Sequence, residues 1–262
     1  MEGNGWYRGT PPLGSDECSS ILDLQLLLAY QTARELEANL GLRELSNAYD
    51  SEIQRLKKSI VESYWHAPSQ RFSDTSDKNF FSQHANALAI LTGIVKNDSA
   101  KALMKKILTD TTLTQATIYF QYYVNRALAQ CGLGDLYLDQ LDIWKENLKL
   151  GLTTWAEKSS VDNSRSDCHA WGSSPNVEFF RIVLGIDSDA PGFSRVRIEP
   201  YLGKLSQASG TMPHPNGPLH VSYKQVKGKW QADITLPQGV EGILIWKGKS
   251  YNIKEGKQVL AL

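Results

Sequence analysis

From about residue 19 to residue 186 the sequence alternates between two kinds of predicted helix. One kind is apolar on nearly every side, as in NFFSQHANALAILTG and TQATIYFQYYVNRALAQCG. The other carries a charged face opposite an apolar one, as in RELSNAYDSEIQRLKKSIVESYW. A helix that is apolar all round must be surrounded by protein, whereas an amphipathic helix lies outside. The alternation therefore predicts an inner ring of helices wrapped by an outer ring, which is an (α/α)6 toroid.

The predicted ring is incomplete. A full toroid has six inner and six outer helices, whereas the pattern gives about seven, four inner and three outer. Serines precede the first helix, and Gly41, Gly93 and Gly132 mark helix ends. Because an incomplete ring leaves apolar helix faces uncovered, we expect patches that favour self-association or pairing with the missing helices.

After Gly185 the sequence changes to short alternating runs separated by Gly, Pro and Asn turns, such as GPLHVSYKQV and GKWQADITLP. This pattern predicts a small antiparallel β-sandwich of about seven strands. The fold class is thus mixed, with separate α and β domains. Residues 1–186 form the helical domain, residues 187–262 form the sandwich, and DSDAPGFSR is the boundary.

Charge and cysteine usage exclude several classes of function. Lys+Arg and Asp+Glu both number 28, so the sequence predicts no binding to nucleic acid or to an anionic membrane. No apolar run is long enough to span a bilayer. The three cysteines lack metal-ligand or disulfide spacing and are interpreted as free, mostly buried thiols. Since no phosphate loop, metal triad or Ser-His-Asp order is present, we expect no cofactor and no metal.

The stretch GLTTWAEKSSVDNSRSDCHAWGSSP, residues 151–175, carries the strongest functional signal. It combines a carboxylate, Glu157, with His169 and the rings of Trp155 and Trp171. Aromatic rings stack on the apolar faces of sugars, and a carboxylate activates water, so the combination indicates a sugar-cleaving cleft. The alternatives are an exposed loop glutamate, a core histidine bonded to a carbonyl, and core tryptophans.

Polar and aromatic side chains also stand at the starts of other inner helices. Gln83 and His84 open the third helix, and Tyr119 stands near the start of the fifth. Helix starts converge at one end of a toroid, so these residues are candidate sugar contacts, with a core role as the alternative for His84. The pairs Asp167/Glu178 and Asp187/Asp189 are interpreted as surface acids.

The motif TTWAE followed by CHAWGSSP resembles the catalytic barrel of family 78 α-L-rhamnosidases. SSILDLQLLLAYQ, FSQHANALAIL and GIDSDAPGFSRVRIEPYLG are similar to the same family, so the resemblance covers nearly the whole chain. It implies an (α/α)6 barrel with a C-terminal β-sandwich and inverting hydrolysis of terminal α-L-rhamnosides. It also implies that Glu157 is the general base and that His169 contacts the sugar.

The chain departs from the family pattern in one respect, because the family's general acid lies upstream of the matching segment. The first fifteen residues are polar and loop-like, which predicts a chain truncated at its N-terminus and inactive alone. The expected partners are a rhamnose-containing carbohydrate and the missing N-terminal half, and the localisation of the chain stays unknown. Two alternatives remain, a non-catalytic carbohydrate-binding remnant and another (α/α)6 glycosidase or lyase.

Overall fold

The computed structural model describes residues 11–160 and 166–262, so most of the loop predicted for the first fifteen residues lies outside the described part. The chain divides into two compact units, with the boundary between Gly132 and Leu133. The first unit is helical, and the second contains the remaining helices together with all strands of the sandwich. The boundary predicted between residues 186 and 187 stays a prediction.

Within its described residues, the first unit contains five helices and one short hairpin. Their bounds are α1 (Ser20–Asn39), α2 (Arg43–Tyr64), β1 (Trp65–His66), β2 (Arg71–Phe72), α3 (Gln83–Leu91), α4 (Asn97–Thr109) and α5 (Gln121–Gln130). Every residue of α3 from Gln83 to Ile90 is buried, as its apolar sequence predicts for an inner helix. The Ser82 hydroxyl caps α3 by accepting a hydrogen bond from the Ala85 N–H at 3.3 Å.

Helix α1 is buried on one side only. Ile21, Leu24 and Leu27 enter the core, and α2 lies against an adjacent face, where the rings of Tyr30 and Tyr49 are 5.6 Å apart. A stripe at spacings of four and three residues remains exposed. We call it the α1 stripe, and its leucines are Leu22, Leu26, Leu36 and Leu40, exposed by 51%, 43%, 58% and 65%. The expected uncovered face of an inner helix is therefore present.

The helices of the second unit are short. Among the described residues they are a 3₁₀ segment (Gly134–Gln140), α6 (Asp142–Lys149), a second 3₁₀ segment (Ala170–Ser173), α7 (Ser174–Glu178), a π-helical turn (Phe179–Val183) and a third 3₁₀ segment (Pro191–Phe193). The sequence predicted one helix over GDLYLDQLDIWKENLKLG, but this segment breaks at Leu141. In the 3₁₀ part, Gly134 lies against the ring of Tyr201 and the Asp135 carboxylate accepts from the Gly203 N–H at 2.8 Å.

Eight strands in the described part of this unit form two four-stranded sheets. Their bounds are β3 (Ile186–Ser188), β4 (Arg195–Ile198), β5 (Gln207–Met212), β6 (Leu219–Val226), β7 (Lys229–Leu236), β8 (Glu241–Trp246), β9 (Lys249–Ile253) and β10 (Gly256–Ala261). One sheet has the order β10-β7-β6-β5 and the other β3-β4-β8-β9. The sheets are antiparallel, as predicted, except at one pair, because β4 and β8 run parallel. Trp246 joins the sheets through its ring contacts with Tyr223 and Trp230, at 6.0 and 5.5 Å.

The π-helical turn is bonded to the sandwich. The Tyr223 hydroxyl donates to the Leu184 carbonyl at 3.0 Å, and the Tyr201 N–H donates to the Ile182 carbonyl at 3.0 Å. Gly210 leaves space on β5, since a Cβ there would lie 2.5 Å from Leu184 Cδ1. The last helical segment and the sandwich are therefore joined by both hydrogen bonds and packing.

The three thiols are free, but the prediction that they are mostly buried is wrong. Cys131 follows α5 and is buried, and this burial raises its pKa to about 11. Cys18 and Cys168 stand in loops and are exposed. Among the described residues, no helix has the length and apolar character that crossing a membrane requires.

Gly185 links the π-helical turn to β3 and offers a test of packing. Its φ is +74°, and a Cβ there would lie 2.1 Å from the carbonyl carbon of Glu199. We expect Gly185→Ala to lower the free energy of unfolding by at least about 2 kcal/mol more than Gly248→Ala, since backbone atoms cannot yield to the new methyl group. Gly248 is the matched control, because it has a φ of +81° and a Cβ added to it would meet nothing within 4 Å. Urea denaturation measures both changes, and equal losses would contradict the packing argument.

Candidate active site

Two chain segments lie side by side around Glu157. The Glu157 N–H donates to the Ser166 carbonyl at 2.8 Å, and the His169 N–H donates to the Trp155 carbonyl at 2.9 Å. The Thr154 hydroxyl also donates to the Asp167 carbonyl. These bonds hold the segment from Thr154 to Glu157 against the segment from residue 166 to His169. The part of the predicted stretch at residues 161–165 lies outside the described residues.

Trp171 connects the two segments. Its indole N–H donates to the Glu157 carbonyl at 3.0 Å, and its ring centroid lies 4.1 Å from that of His169, at an interplanar angle of 41°. The side chain remains 42% exposed. Part of the ring therefore remains exposed to solvent, while its polar end is fixed by the backbone of the glutamate.

The four candidates of this stretch differ in exposure in a way that suits a binding site. Glu157 is buried, with 7% exposed, whereas Trp155 and His169 are half-buried. The structure thus brings together Glu157, His169, Trp155 and Trp171, as the sequence predicted. A buried glutamate whose backbone is bonded to a tryptophan with an exposed ring is an arrangement that can activate water beside a bound sugar.

His84 and Gln83 begin α3 in the first unit, and both are buried at 5% exposure. Burial lowers the pKa of His84 to about 3, and its ring lies 4.2 Å from that of Phe120. Gln83 holds neighbouring backbone, because its amide nitrogen donates to the Ile107 carbonyl at 3.0 Å and its oxygen accepts from the Ala116 N–H at 2.8 Å. These contacts give Gln83 a structural role. The sugar contacts predicted for Gln83 and His84 stay predictions.

Tyr119 is 46% exposed and meets Tyr123 edge to face at 6.3 Å between ring centroids. Tyr123 in turn contacts Phe120 and Tyr122, with centroids 4.8 and 5.3 Å away. An exposed tyrosine on an aromatic cluster has the shape of a stacking platform. Its predicted role as a sugar contact is untested.

The predicted exposure of Glu178 is wrong. It was predicted as a surface acid, but it is 1% exposed and accepts from the Tyr137 hydroxyl at 3.0 Å. Its position in the apolar segment PNVEFFRIVLG was the signal for burial. The other three acids do lie at the surface, where Asp187 pairs with Arg181 and Asp189 with Arg195. Within the described residues no group of three His, Cys, Asp or Glu side chains is arranged for a metal ion.

Residues 185–260 match the family model of the bacterial α-L-rhamnosidase C-terminal domain. An α-L-rhamnosidase of Alteromonas sp. (strain LOR) is 33% identical over 60 residues, which are 22% of this chain and 6% of that protein. The predicted resemblance to family 78 α-L-rhamnosidases is thereby confirmed, on a part of their length.

Solved structures confirm the predicted fold class. The GH78 family rhamnosidase of Bacillus sp. GL1 matches with a TM-score of 0.79 and 24% identity, over 86% of this chain and 26% of that one. The Streptomyces avermitilis α-L-rhamnosidase, solved with L-rhamnose, matches with a TM-score of 0.78 and 16% identity, over 95% of this chain and 27% of that one. The chain thus spans about a quarter of the length of these solved relatives, in their C-terminal part.

Proposed function

We propose that this chain, a relative of the family 78 α-L-rhamnosidases, is the part of an inverting α-L-rhamnosidase that carries the general base. The buried Glu157 beside the rings of His169 and Trp171 supports this most directly. Rhamnose is the proposed sugar because the relatives are rhamnosidases, one of them solved with L-rhamnose.

In the proposed reaction Glu157 takes a proton from a water molecule as the water attacks the anomeric carbon. The bond from that carbon to the glycosidic oxygen breaks on the opposite face, and a carboxylic acid protonates the departing oxygen. An inverting pair needs about 6.5–9.5 Å between its carboxyl groups to admit the water. The acid comes from a part of the barrel outside this chain, so we expect the chain alone to be inactive.

Binding of the sugar is assigned to the residues around Glu157. The exposed ring of Trp171 stacks on an apolar face of the sugar, with Trp155 beside it, and His169 bonds to a hydroxyl. His169 is well placed for this task, because its ring is already fixed against Trp171 at 4.1 Å.

The proposed protein partner is the remaining part of the barrel, and the α1 stripe is its contact surface. Three leucines along one face of the 20-residue helix, continued by Leu40 at its C-cap, form an apolar surface of the kind that proteins normally cover. A helix with a matching apolar stripe would cover it at ordinary helix-packing distance. This partner explains why a helix with the sequence of an inner helix has an uncovered face.

Coexpression with a polypeptide that supplies the remaining barrel helices, encoded upstream, tests the function and the partner together. We expect hydrolysis of an aryl α-L-rhamnoside by the pair, with inversion seen by NMR, and none by either part alone. Leu26→Lys with Leu36→Lys should abolish both pairing and turnover, because two buried charges would face the partner. Val259→Lys is the control, since Val259 is also exposed, at 55%, but lies on β10.

The outcomes separate the alternatives. Binding of rhamnose by calorimetry without turnover of any aryl glycoside would favour a carbohydrate-binding remnant. Turnover of a different aryl glycoside would favour another (α/α)6 glycosidase. A monodisperse, cooperatively melting monomer of the chain alone would contradict the role of the α1 stripe.

A further inference from the structure

We infer that Asn147, on α6, is a positioning residue that sets the place of Glu157, and this inference rests on the proposed role of Glu157 as base. Asn147 is completely buried, and its side-chain oxygen accepts from the Ala156 N–H at 2.9 Å. Ala156 directly precedes Glu157 and is itself completely buried. The hydrogen bond therefore fixes the backbone one residue away from the proposed base.

The amide nitrogen of the Asn147 side chain also has a hydrogen-bond partner. It donates to the Ile143 carbonyl of α6 at 2.8 Å, so the side-chain oxygen is aimed at Ala156. The backbone carbonyl of Asn147 accepts from the Leu152 N–H at 3.1 Å. A single residue thus holds the segment that leads to Glu157 at both of its ends, Leu152 and Ala156.

A second side chain of α6 holds the segment that carries the aromatic rings. Trp144 is buried, and its indole N–H donates to the Gly172 carbonyl at 2.6 Å, next to Trp171. Trp144 and Asn147 are three residues apart and share one face of the helix. Because Trp171 in turn donates to the Glu157 carbonyl, the glutamate is held from α6 along two routes.

This geometry gives Asn147 a function beyond local folding. An asparagine side chain that only stabilised this loop could bond to a backbone N–H anywhere along it. Here the acceptor meets the N–H of Ala156, the residue directly before Glu157, where a displacement of the backbone also moves the glutamate. Displacements of about 1 Å in a catalytic group can cost on the order of a hundredfold in rate.

Hydrogen exchange tests the geometry without any activity. In the chain itself, Asn147→Ala should remove the protection of the Ala156 amide against hydrogen exchange. The amides of the sandwich strands should stay protected. Asn147→Asp should restore the protection near neutral pH, because burial favours the neutral carboxyl, which accepts and donates as the amide does. Asn176→Ala, at an exposed asparagine of α7, should leave the Ala156 amide as in the wild type. Unchanged protection of that amide in Asn147→Ala would overturn the inference.

Kinetics of the assembled enzyme test the positioning role. We expect Asn147→Ala to lower kcat about 10- to 100-fold with KM within about twofold of the wild type, because the base moves while the sugar contacts remain. Asn147→Asp should recover most of the rate. Lost exchange protection together with an unchanged kcat would also overturn the inference. A wild-type assembly without activity would contradict the proposed function. The hydrogen-exchange result would then still show whether Asn147 holds the segment that leads to Glu157.

Discussion

Glu157→Gln is expected to lower kcat of the assembled enzyme about a thousandfold. A general base contributes roughly 10²- to 10⁴-fold to the rate of a reaction, and glutamine cannot accept the proton of the attacking water. KM should change little, because glutamine keeps the size of the side chain and the nearby rings are untouched. Initial rates on an aryl α-L-rhamnoside at several pH values measure the change, which should persist across the range.

Glu146→Gln is the matched control for this substitution. Glu146 lies on α6 in the same unit, where its exposed carboxylate pairs with Lys149 at 2.5 Å. Exposed pairs of this kind contribute little, so this variant should keep the wild-type rate and fold. A Glu157→Gln enzyme that works at the wild-type rate would remove Glu157 from the reaction.

Acid is expected to destabilise the first unit through His84. Burial lowers the pKa of His84 to about 3 from its ordinary value of 6.5, so the unfolded chain binds this proton more readily than the folded one. The stability contributed by the neutral ring is complete above about pH 6.5 and is lost as the pH falls towards 3. The loss amounts to about 2 kcal/mol at pH 5 and about 4 kcal/mol at pH 3.

Hydrogen exchange of the α3 amides, corrected for the intrinsic rate at each pH, gives the free energy of opening of this unit. His84→Gln should make this free energy of opening less dependent on pH between pH 7 and pH 5, because glutamine does not titrate there. His220→Gln, on β6 of the sandwich, should keep the wild-type dependence in α3. An unchanged slope in His84→Gln would assign the acid sensitivity to other groups.

Periodicity predicted the helices because it reports which faces are buried. The burial of α3 from Gln83 to Ile90 and the helix ends next to Gly41, Gly93 and Gly132 follow directly from local residue patterns. The cluster around Glu157 could be predicted as well, since its members, from Trp155 to Trp171, lie at most 16 residues apart along the chain. Contacts of short sequence range are those that a sequence shows most clearly.

Features that depend on distant partners were not predictable in this way. The buried carboxylate of Glu178 accepts a hydrogen bond from the hydroxyl of Tyr137, 41 residues earlier. The parallel pairing of β4 with β8 joins residues 46 positions apart, such as Arg195 and Glu241, and alternation within a strand is the same for either direction. The role of Asn147 was missed for another reason, since Ala156 is only nine residues away along the chain. No local pattern marks an asparagine on a helix as one whose side chain bonds to the backbone of the following segment.

The bonds between the π-helical turn and the sandwich bear on how such proteins can be recombined. Tyr223 and Tyr201 hold the carbonyls of Leu184 and Ile182, and Gly210 leaves the space that Leu184 requires. Exchange of the sandwich between relatives would keep the Tyr223 hydroxyl bond and the space at Gly210 only if the incoming sandwich supplied the same residues, or if the helical turn were exchanged with it. The interchangeable module for engineering or for evolution is therefore larger than the β-domain, and it includes the end of the last helix.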